Sequence, residues 1–170
     1  MMHRIFIAIN LPEKIKKQLA EYQQKIEGLF QQSAPIRWTK EDNLHITLEF
    51  LGNLSDDEVM KVCQETEEFA KNHQPFIILL DNINYGPPDK MPPRMIWITG
   101  TKIPELNLIP HITLGRIKMW EFRQIEPEER PEIAQEINLN FEVNSLEVME
   151  SRLKKFGPDY TILESCPLKI

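Results

Sequence analysis

The tetrad His-Ile-Thr-Leu occurs twice in this chain, at positions 45–48 and 111–114. Both copies lie in short apolar runs, "LHITLEF" and "PHITLGR", whose alternation predicts β-strands. Residues two apart on a strand share a face, so each copy presents an imidazole and a hydroxyl group together. The repeat therefore favours a fold in which two strands bring four polar side chains to one place.

The remaining segments predict an α+β fold. Strand patterns occupy 4–10, 44–52, 76–86, 94–100 and 111–118, and they return over 139–153, as one or two strands, and over 160–168. Apolar spacings of three and four predict helices over 12–32, with Leu29 on its inward face, and from 56 to about 72, with Phe69 on its inward face. Ser55 and Glu58 form a capping box before the second helix, and 127–137 reads as a short acidic helix or loop. Short joints favour antiparallel sheets.

Length and composition indicate a single domain over residues 1–170, since ~100–200 residues per domain is usual. No apolar run is long enough to cross a bilayer, and the N-terminus does not resemble a signal peptide, so we expect a cytoplasmic monomer without membrane contact. We interpret Cys63 and Cys166 as buried, reduced cysteines without a functional role. The net charge of −6 argues against a protein that coats nucleic acid, but a site for one phosphate needs only a few local donors.

Two histidines with two hydroxyl groups suit phosphoester cleavage by a paired acid and base. Neutral imidazole can take a proton from water, and imidazolium can protonate the departing sugar oxygen. We therefore predict His45 and His111 as catalytic residues. Thr47 and Thr113 are predicted to donate to the phosphate oxygens where charge builds up.

Three further residues are candidates for the site. Arg116 could clamp a phosphate, although strict alternation places it opposite His111, so this role requires a bulge or twist. Phe6 is the preferred aromatic for stacking on a base. Glu49 falls on the same face as His45 by alternation, so a metal triad of His45, His111 and Glu49 is an alternative. Phe50 is expected in the core.

The paired motifs, with Pro110 before the second and Arg116 soon after it, resemble those of the 2H phosphoesterases. Within that superfamily the chain is most similar to the RNA 2′,3′-cyclic phosphodiesterases, also called 2′-5′ RNA ligases. The likeness extends from "RIFIAINLPEK" through "IRWTKEDNLHITLEFLG" and "PHITLGRIK" to the closing strands.

This resemblance implies a bilobal fold with pseudo-twofold symmetry around a central cleft. It implies hydrolysis of RNA 2′,3′-cyclic phosphate ends, or of small cyclic nucleotides, to 2′-phosphates with no metal or other cofactor. His45 corresponds to the proton donor and His111 to the proton acceptor, while Thr47, Thr113 and Arg116 hold the phosphate. Reverse ligation would use the same pair with exchanged roles. A non-catalytic module that binds RNA ends in the same cleft is the rival hypothesis.

The resemblance also implies a helix before the second motif, where only residues 100–110 are present. Either the helix has been lost or the sequence omits a stretch, and the intact flanking motifs favour omission.

Overall fold

The computed structural model describes all 170 residues and arranges them as two antiparallel sheets with three helices. The elements are β1 (Met2–Asn10), α1 (Glu13–Glu27), β2 (Ile36–Trp38), β3 (His45–Ser55), α2 (Asp56–Lys71), β4 (Phe76–Gly86), β5 (Met95–Gly100), β6 (His111–Ile117), α3 (Met119–Arg123), β7 (Ala134–Val143), β8 (Ser145–Lys154) and β9 (Gly157–Pro167). One sheet has the strand order β3-β1-β8-β9, and the other has the order β2-β6-β5-β4-β7. This architecture confirms the predicted α+β, bilobal fold.

The two long helices begin where the sequence predicted. Pro12 precedes α1, and the Ser55–Glu58 capping box opens α2. The predicted inward faces are partly wrong. Leu29 is 54% exposed because α1 ends at Glu27, and Phe69 of α2 is 40% exposed. No helix is both long enough and apolar enough to span a membrane.

A continuous apolar core joins the two sheets. Ile46 of β3 and Ile112 of β6 are fully buried in this core, together with Leu19 of α1. Each isoleucine directly follows one of the tetrad histidines. Burial of an isoleucine side chain stabilises a fold by about 1.5–3 kcal/mol. The core therefore anchors both tetrads and leaves each histidine at the edge between the sheets.

Residues 101–110 connect β5 to β6 without a helix of ordinary length. They contain a 3-10 turn over Pro104–Leu106, and Ile103 pairs with Leu108 in an isolated bridge. Asn107 makes the reversal in the left-handed region, at φ 48°. Since β5 and β6 are antiparallel neighbours, no crossover is needed. The structure thus contains a short connection in place of the expected helix.

The remaining differences lie in the second half of the chain. Residues 139–153 fall on two strands, β7 and β8, which are in different sheets. The acidic segment 127–137 forms a 3-10 turn at Pro127–Glu129 and then enters β7. The short helix α3 has no counterpart among the predicted elements.

Candidate active site

The two tetrads meet at a cleft of about 260 Å³ between the sheets. The first tetrad opens β3 of the four-stranded sheet, and the second opens β6 of the five-stranded sheet. Among the 17 lining residues are both histidines and both threonines of the tetrads. Three cationic residues also line the cleft, and no carboxylate does: Arg37, Lys40 and Arg116. The site is therefore locally positive in a chain of net charge −6.

His45 is held by hydrogen bonds on both ring nitrogens. Its Nδ1–H donates to the carbonyl oxygen of Asn43 at 2.7 Å, because a carbonyl can only accept. Its Nε2 lies 2.8 Å from the Thr47 hydroxyl. This contact confirms that the first and third members of the tetrad share a face. It also leaves Nε2 as the nitrogen available for proton transfer.

His111 is positioned by stacking. Its ring lies 4.4 Å from the Trp97 ring, centroid to centroid, at an interplanar angle of 26°. Trp97 is the cross-strand neighbour of Thr113 on β5. The indole therefore supports one face of the imidazole and orients it without occupying a ring nitrogen.

Burial lowers the pKa of both histidines, but the two environments differ. For His45, burial is opposed by the hydrogen bond to Asn43, which favours the imidazolium, while the nearby His111 and Lys16 lower its pKa further. For His111, burial alone lowers the pKa, and no hydrogen bond opposes it. Both rings are thus biased towards the neutral form, and only His45 has a hydrogen bond that favours the imidazolium and cationic neighbours that oppose it.

Arg116 reaches the cleft because β6 contains a bulge. Ile96 pairs with Gly115 but Trp97 pairs with Thr113, so Leu114 is the extra residue. Leu114 and Gly115 are both buried, and the side chain of Arg116 then emerges beside the cleft. Arg116 can face a phosphate only if the strand has a bulge or twist, and this bulge meets that condition. A side chain at Gly115 would place its Cβ only 2.5 Å from Ile36 Cγ2, so the bulge also requires glycine there.

A second bulge, on β3, overturns two expectations. Ile7 pairs with Glu49 and Ala8 with Thr47, which makes Leu48 the extra residue. From Leu48 to the next register shift, which follows Phe50, the alternation is reversed. Phe50, expected in the core, is 73% exposed and lines the cleft. Glu49 instead lies in a different cavity beside α2, so it does not complete a triad with the two histidines.

The predicted stacking role of Phe6 does not fit its placement. Phe6 is only 2% exposed, and its ring packs 5.2 Å from His45 and 5.1 Å from Tyr160. A buried ring has no face free for a base. Phe6 instead packs against the imidazole of His45 within a small apolar cluster with Ala8 and Met149, which is separate from the main core.

The cleft contains residues that the sequence did not single out. Arg37 and Lys40 line it, as do Tyr160 and Phe156. Phe156 is 80% exposed at the turn between β8 and β9, where Gly157 has a φ of 112°. Arg37 and Lys40 lie shortly before the first tetrad, in "IRWTKEDN", whereas Phe156 and Tyr160 come from a segment far along the chain, so local sequence patterns do not predict that these two aromatic residues reach the cleft. For Phe156 the local signal is the glycine of "KFG", which predicts a turn between two strands.

Comparison with known protein families shows which family this chain belongs to. A family model described as LigT like Phosphoesterase matches residues 9–97, just over half of the chain and including the first tetrad. The chain belongs to the LigT-like phosphoesterase family.

Relatives of this LigT-like phosphoesterase match along nearly all of its length. A Thermotoga maritima protein named RNA 2′,3′-cyclic phosphodiesterase is 25% identical, with 96% of this chain and 94% of the relative covered. An Aquifex aeolicus protein of the same name is 28% identical, covering 89% and 86%.

Solved structures agree with this relationship. A Thermus thermophilus protein superposes with a TM-score of 0.79 at 26% identity, over 98% of both chains. E. coli LigT in complex with 3′-AMP has a TM-score of 0.72 at 24% identity over 99% of both chains, a likeness of fold.

Proposed function

We propose that this protein hydrolyses 2′,3′-cyclic phosphate at RNA ends to a 2′-phosphate, by metal-independent acid–base catalysis with His45 and His111. The observation that carries the proposal is the meeting of both histidines and both tetrad threonines in one cleft lined by three cations and no carboxylate. The names of the Thermotoga and Aquifex relatives support the same activity.

In the proposed reaction, water attacks phosphorus while His111 accepts its proton. The bond between phosphorus and O3′ breaks, and His45 donates a proton to O3′. The reaction leaves His111 protonated and His45 neutral, and exchange with solvent restores both. This assignment of roles rests on the resemblance to the family. The Asn43 carbonyl favours a protonated His45, but burial, His111 and Lys16 all oppose its protonation, so the surroundings of the two rings do not by themselves decide the roles.

Three side chains are proposed to hold the phosphate. The Thr113 hydroxyl and the Arg116 guanidinium both approach Met95 Sδ, at 4.0 and 3.8 Å, so these two donors are adjacent. Thr47 lies beside His45 on the opposite sheet. Donors from two sides could stabilise the charge that builds up on the non-bridging oxygens.

The charge of the cleft supports a metal-independent mechanism. Proteins bind Ca²⁺ and Mg²⁺ mainly through carboxylate oxygens, and they bind Zn²⁺ through thiolates, carboxylates or several imidazoles. The cleft offers two imidazoles, hydroxyl groups and three cations, with Glu49 on another face. Such a site attracts a phosphate anion and repels a metal ion. The reverse reaction, joining a cyclic phosphate to a 5′-hydroxyl, would use the same pair with exchanged roles.

The test is hydrolysis of 2′,3′-cyclic AMP by the purified protein with and without excess chelator, with the product identified by chromatography. We expect 2′-AMP at equal rates in both conditions. Loss of activity with chelator would indicate a metal enzyme. Binding without product at any pH would indicate a non-catalytic module.

A further inference from the structure

A second cavity, of about 380 Å³, adjoins the cleft and is strongly basic. Four of its eight lining residues are cationic, the others are apolar, and no carboxylate lines it. We call it the basic groove and define it by its four cations: Lys90, Arg94, Arg116 and Arg123.

The cations of the basic groove are free of ion pairs. The lysine and arginine side chains that do form salt bridges lie elsewhere: Lys16, Lys61, Lys71, Arg152 and Lys154. Convergence of four unpaired cations is unfavourable by self-repulsion, and it creates a local positive potential that attracts a polyanion. In a chain of net charge −6, this potential is a local feature of one face.

The backbone under the groove is well fixed. The amide of Arg94 donates to the Gly86 carbonyl at 3.0 Å, and its carbonyl accepts from the Ile117 amide at 2.9 Å. Arg123 ends α3 directly after Phe122, which is 1% exposed. The guanidinium groups therefore project from positions held by the fold, which lowers the entropic cost of binding an anion.

Arg116 joins the groove to the cleft, because its side chain lines both cavities. A 2′,3′-cyclic phosphate is the 3′ end of an RNA strand. If that end occupies the cleft, the next phosphodiesters on the 5′ side can pass Arg116 and enter the groove.

We propose that the basic groove binds the phosphodiester backbone of single-stranded RNA on the 5′ side of the cyclic end. The preferred substrate is therefore an RNA strand and not a mononucleotide. This inference rests on the proposed function, since it takes the cleft as the site of the cyclic phosphate.

The test compares two triple variants of equal charge. The groove variant is Lys90→Ala, Arg94→Ala and Arg123→Ala, which leaves Arg116 in place. The control variant replaces three exposed lysines that line neither cavity: Lys14→Ala, Lys17→Ala and Lys169→Ala. Each is assayed on 2′,3′-cyclic AMP and on a ribo-oligonucleotide of about eight residues with a 2′,3′-cyclic end, between about 0.05 and about 0.3 M salt.

We expect the groove variant to lose about tenfold in kcat/KM on the oligonucleotide relative to its change on cyclic AMP. We also expect the slope of log(kcat/KM) against log salt to become shallower by about 2, since each phosphate contact on a single strand contributes ~0.7. The control should keep the wild-type ratio between the two substrates.

If the groove variant and the control have the same ratio of kcat/KM on the oligonucleotide to kcat/KM on cyclic AMP, and both hydrolyse cyclic AMP normally, the groove does not bind RNA. The proposed function would be unaffected by that result. If the wild type cleaves neither substrate, the proposed function fails, and fluorescence-anisotropy binding of the same oligonucleotide still decides the groove. Weaker, less salt-dependent binding by the groove variant supports it, and equal binding by both variants overturns it.

Discussion

The side-chain amide of Gln23 donates a hydrogen bond of 2.8 Å to the carbonyl oxygen of Leu114, the bulged residue of β6. The same amide donates to the carbonyl of Thr39 at 2.9 Å, and the Thr39 hydroxyl in turn donates to the Thr113 carbonyl at 2.8 Å. Gln23 is 8% exposed, and its bond to the Leu114 carbonyl is fully buried. Helix α1 thus supports the bulge that directs Arg116 into the cleft.

Replacing Gln23 with Met removes this support. The change is expected to lower the free energy of unfolding by about 1–3 kcal/mol, because the Thr39 carbonyl loses the Gln23 donor while the Leu114 carbonyl keeps only the Thr39 amide. It should also raise KM for 2′,3′-cyclic AMP as the bulge relaxes. Gln24→Met, on the exposed face of the same turn, is the matched control and should change stability by less than about 0.5 kcal/mol. Urea unfolding measures both, and equal effects would show that the buried amide has no special role.

The Thr47 hydroxyl has two proposed tasks, one at the phosphate and one at His45 Nε2. Thr47→Val keeps the shape but removes the donor, so kcat/KM should fall by about 10²-fold, as for other oxyanion donors. Thr47→Ser keeps the hydroxyl and should recover most of the activity. If the Val and Ser variants have the same kcat/KM, packing explains the loss and the hydroxyl does not.

The pH profile of the enzyme follows from the two histidines. Burial holds the pKa of His45 and the pKa of His111 below the ordinary value of 6.5. The base is inactive below its pKa and the acid is inactive above its pKa. The profile of kcat/KM, which reports the free enzyme, should therefore be bell-shaped with a maximum below pH 6.5. A maximum above about pH 7.5 would contradict this picture of the cleft.

His3 predicts a separate effect of pH, on stability. Its Nδ1 lies 2.7 Å from Glu150 Oε1 and its Nε2 lies 2.7 Å from Asp56 Oδ1. Carboxylates only accept, so both ring nitrogens donate and the ring is an imidazolium. The hydrogen bond to Glu150, then that to Asp56, raise the pKa of His3.

A raised pKa in the folded state stabilises the protein below the unfolded pKa, and this contribution disappears as the pH rises through the folded pKa. His3→Gln should therefore lower Tm at about pH 6 and have little effect at about pH 9.5. Thermal unfolding of the wild type and the variant at both pH values tests this prediction. The same loss of Tm at both would show that the charge on His3 is not involved.

Periodicity alone was sufficient for much of the fold. The strands, both long helices and the Ser55 cap follow from residues close in sequence, so local patterns predicted them. The shared face of His45 and Thr47 follows in the same way.

The errors arise where a single residue shifts the register. One bulged residue, Leu48, moves Phe50 to the cleft and Glu49 away from it, because the side-chain period of a strand is two. The bulge at Leu114 is stabilised by Gln23, a residue on another element. A hydrogen bond between residues far apart in sequence cannot be predicted from the pattern of neighbouring residues. The meeting of Phe156 with His45 and His111 likewise depends on the strand order within one sheet and on how the two sheets pack.

The most direct test of the account is a comparison of His45→Ala, His111→Ala and the double variant on 2′,3′-cyclic AMP. If the two rings act as one acid–base pair on a single phosphate, each single variant should lose about 10³-fold in kcat. The double variant should lose little more than either single one, because neither ring is effective alone. A single variant that keeps activity within about tenfold of the wild type would contradict the paired mechanism.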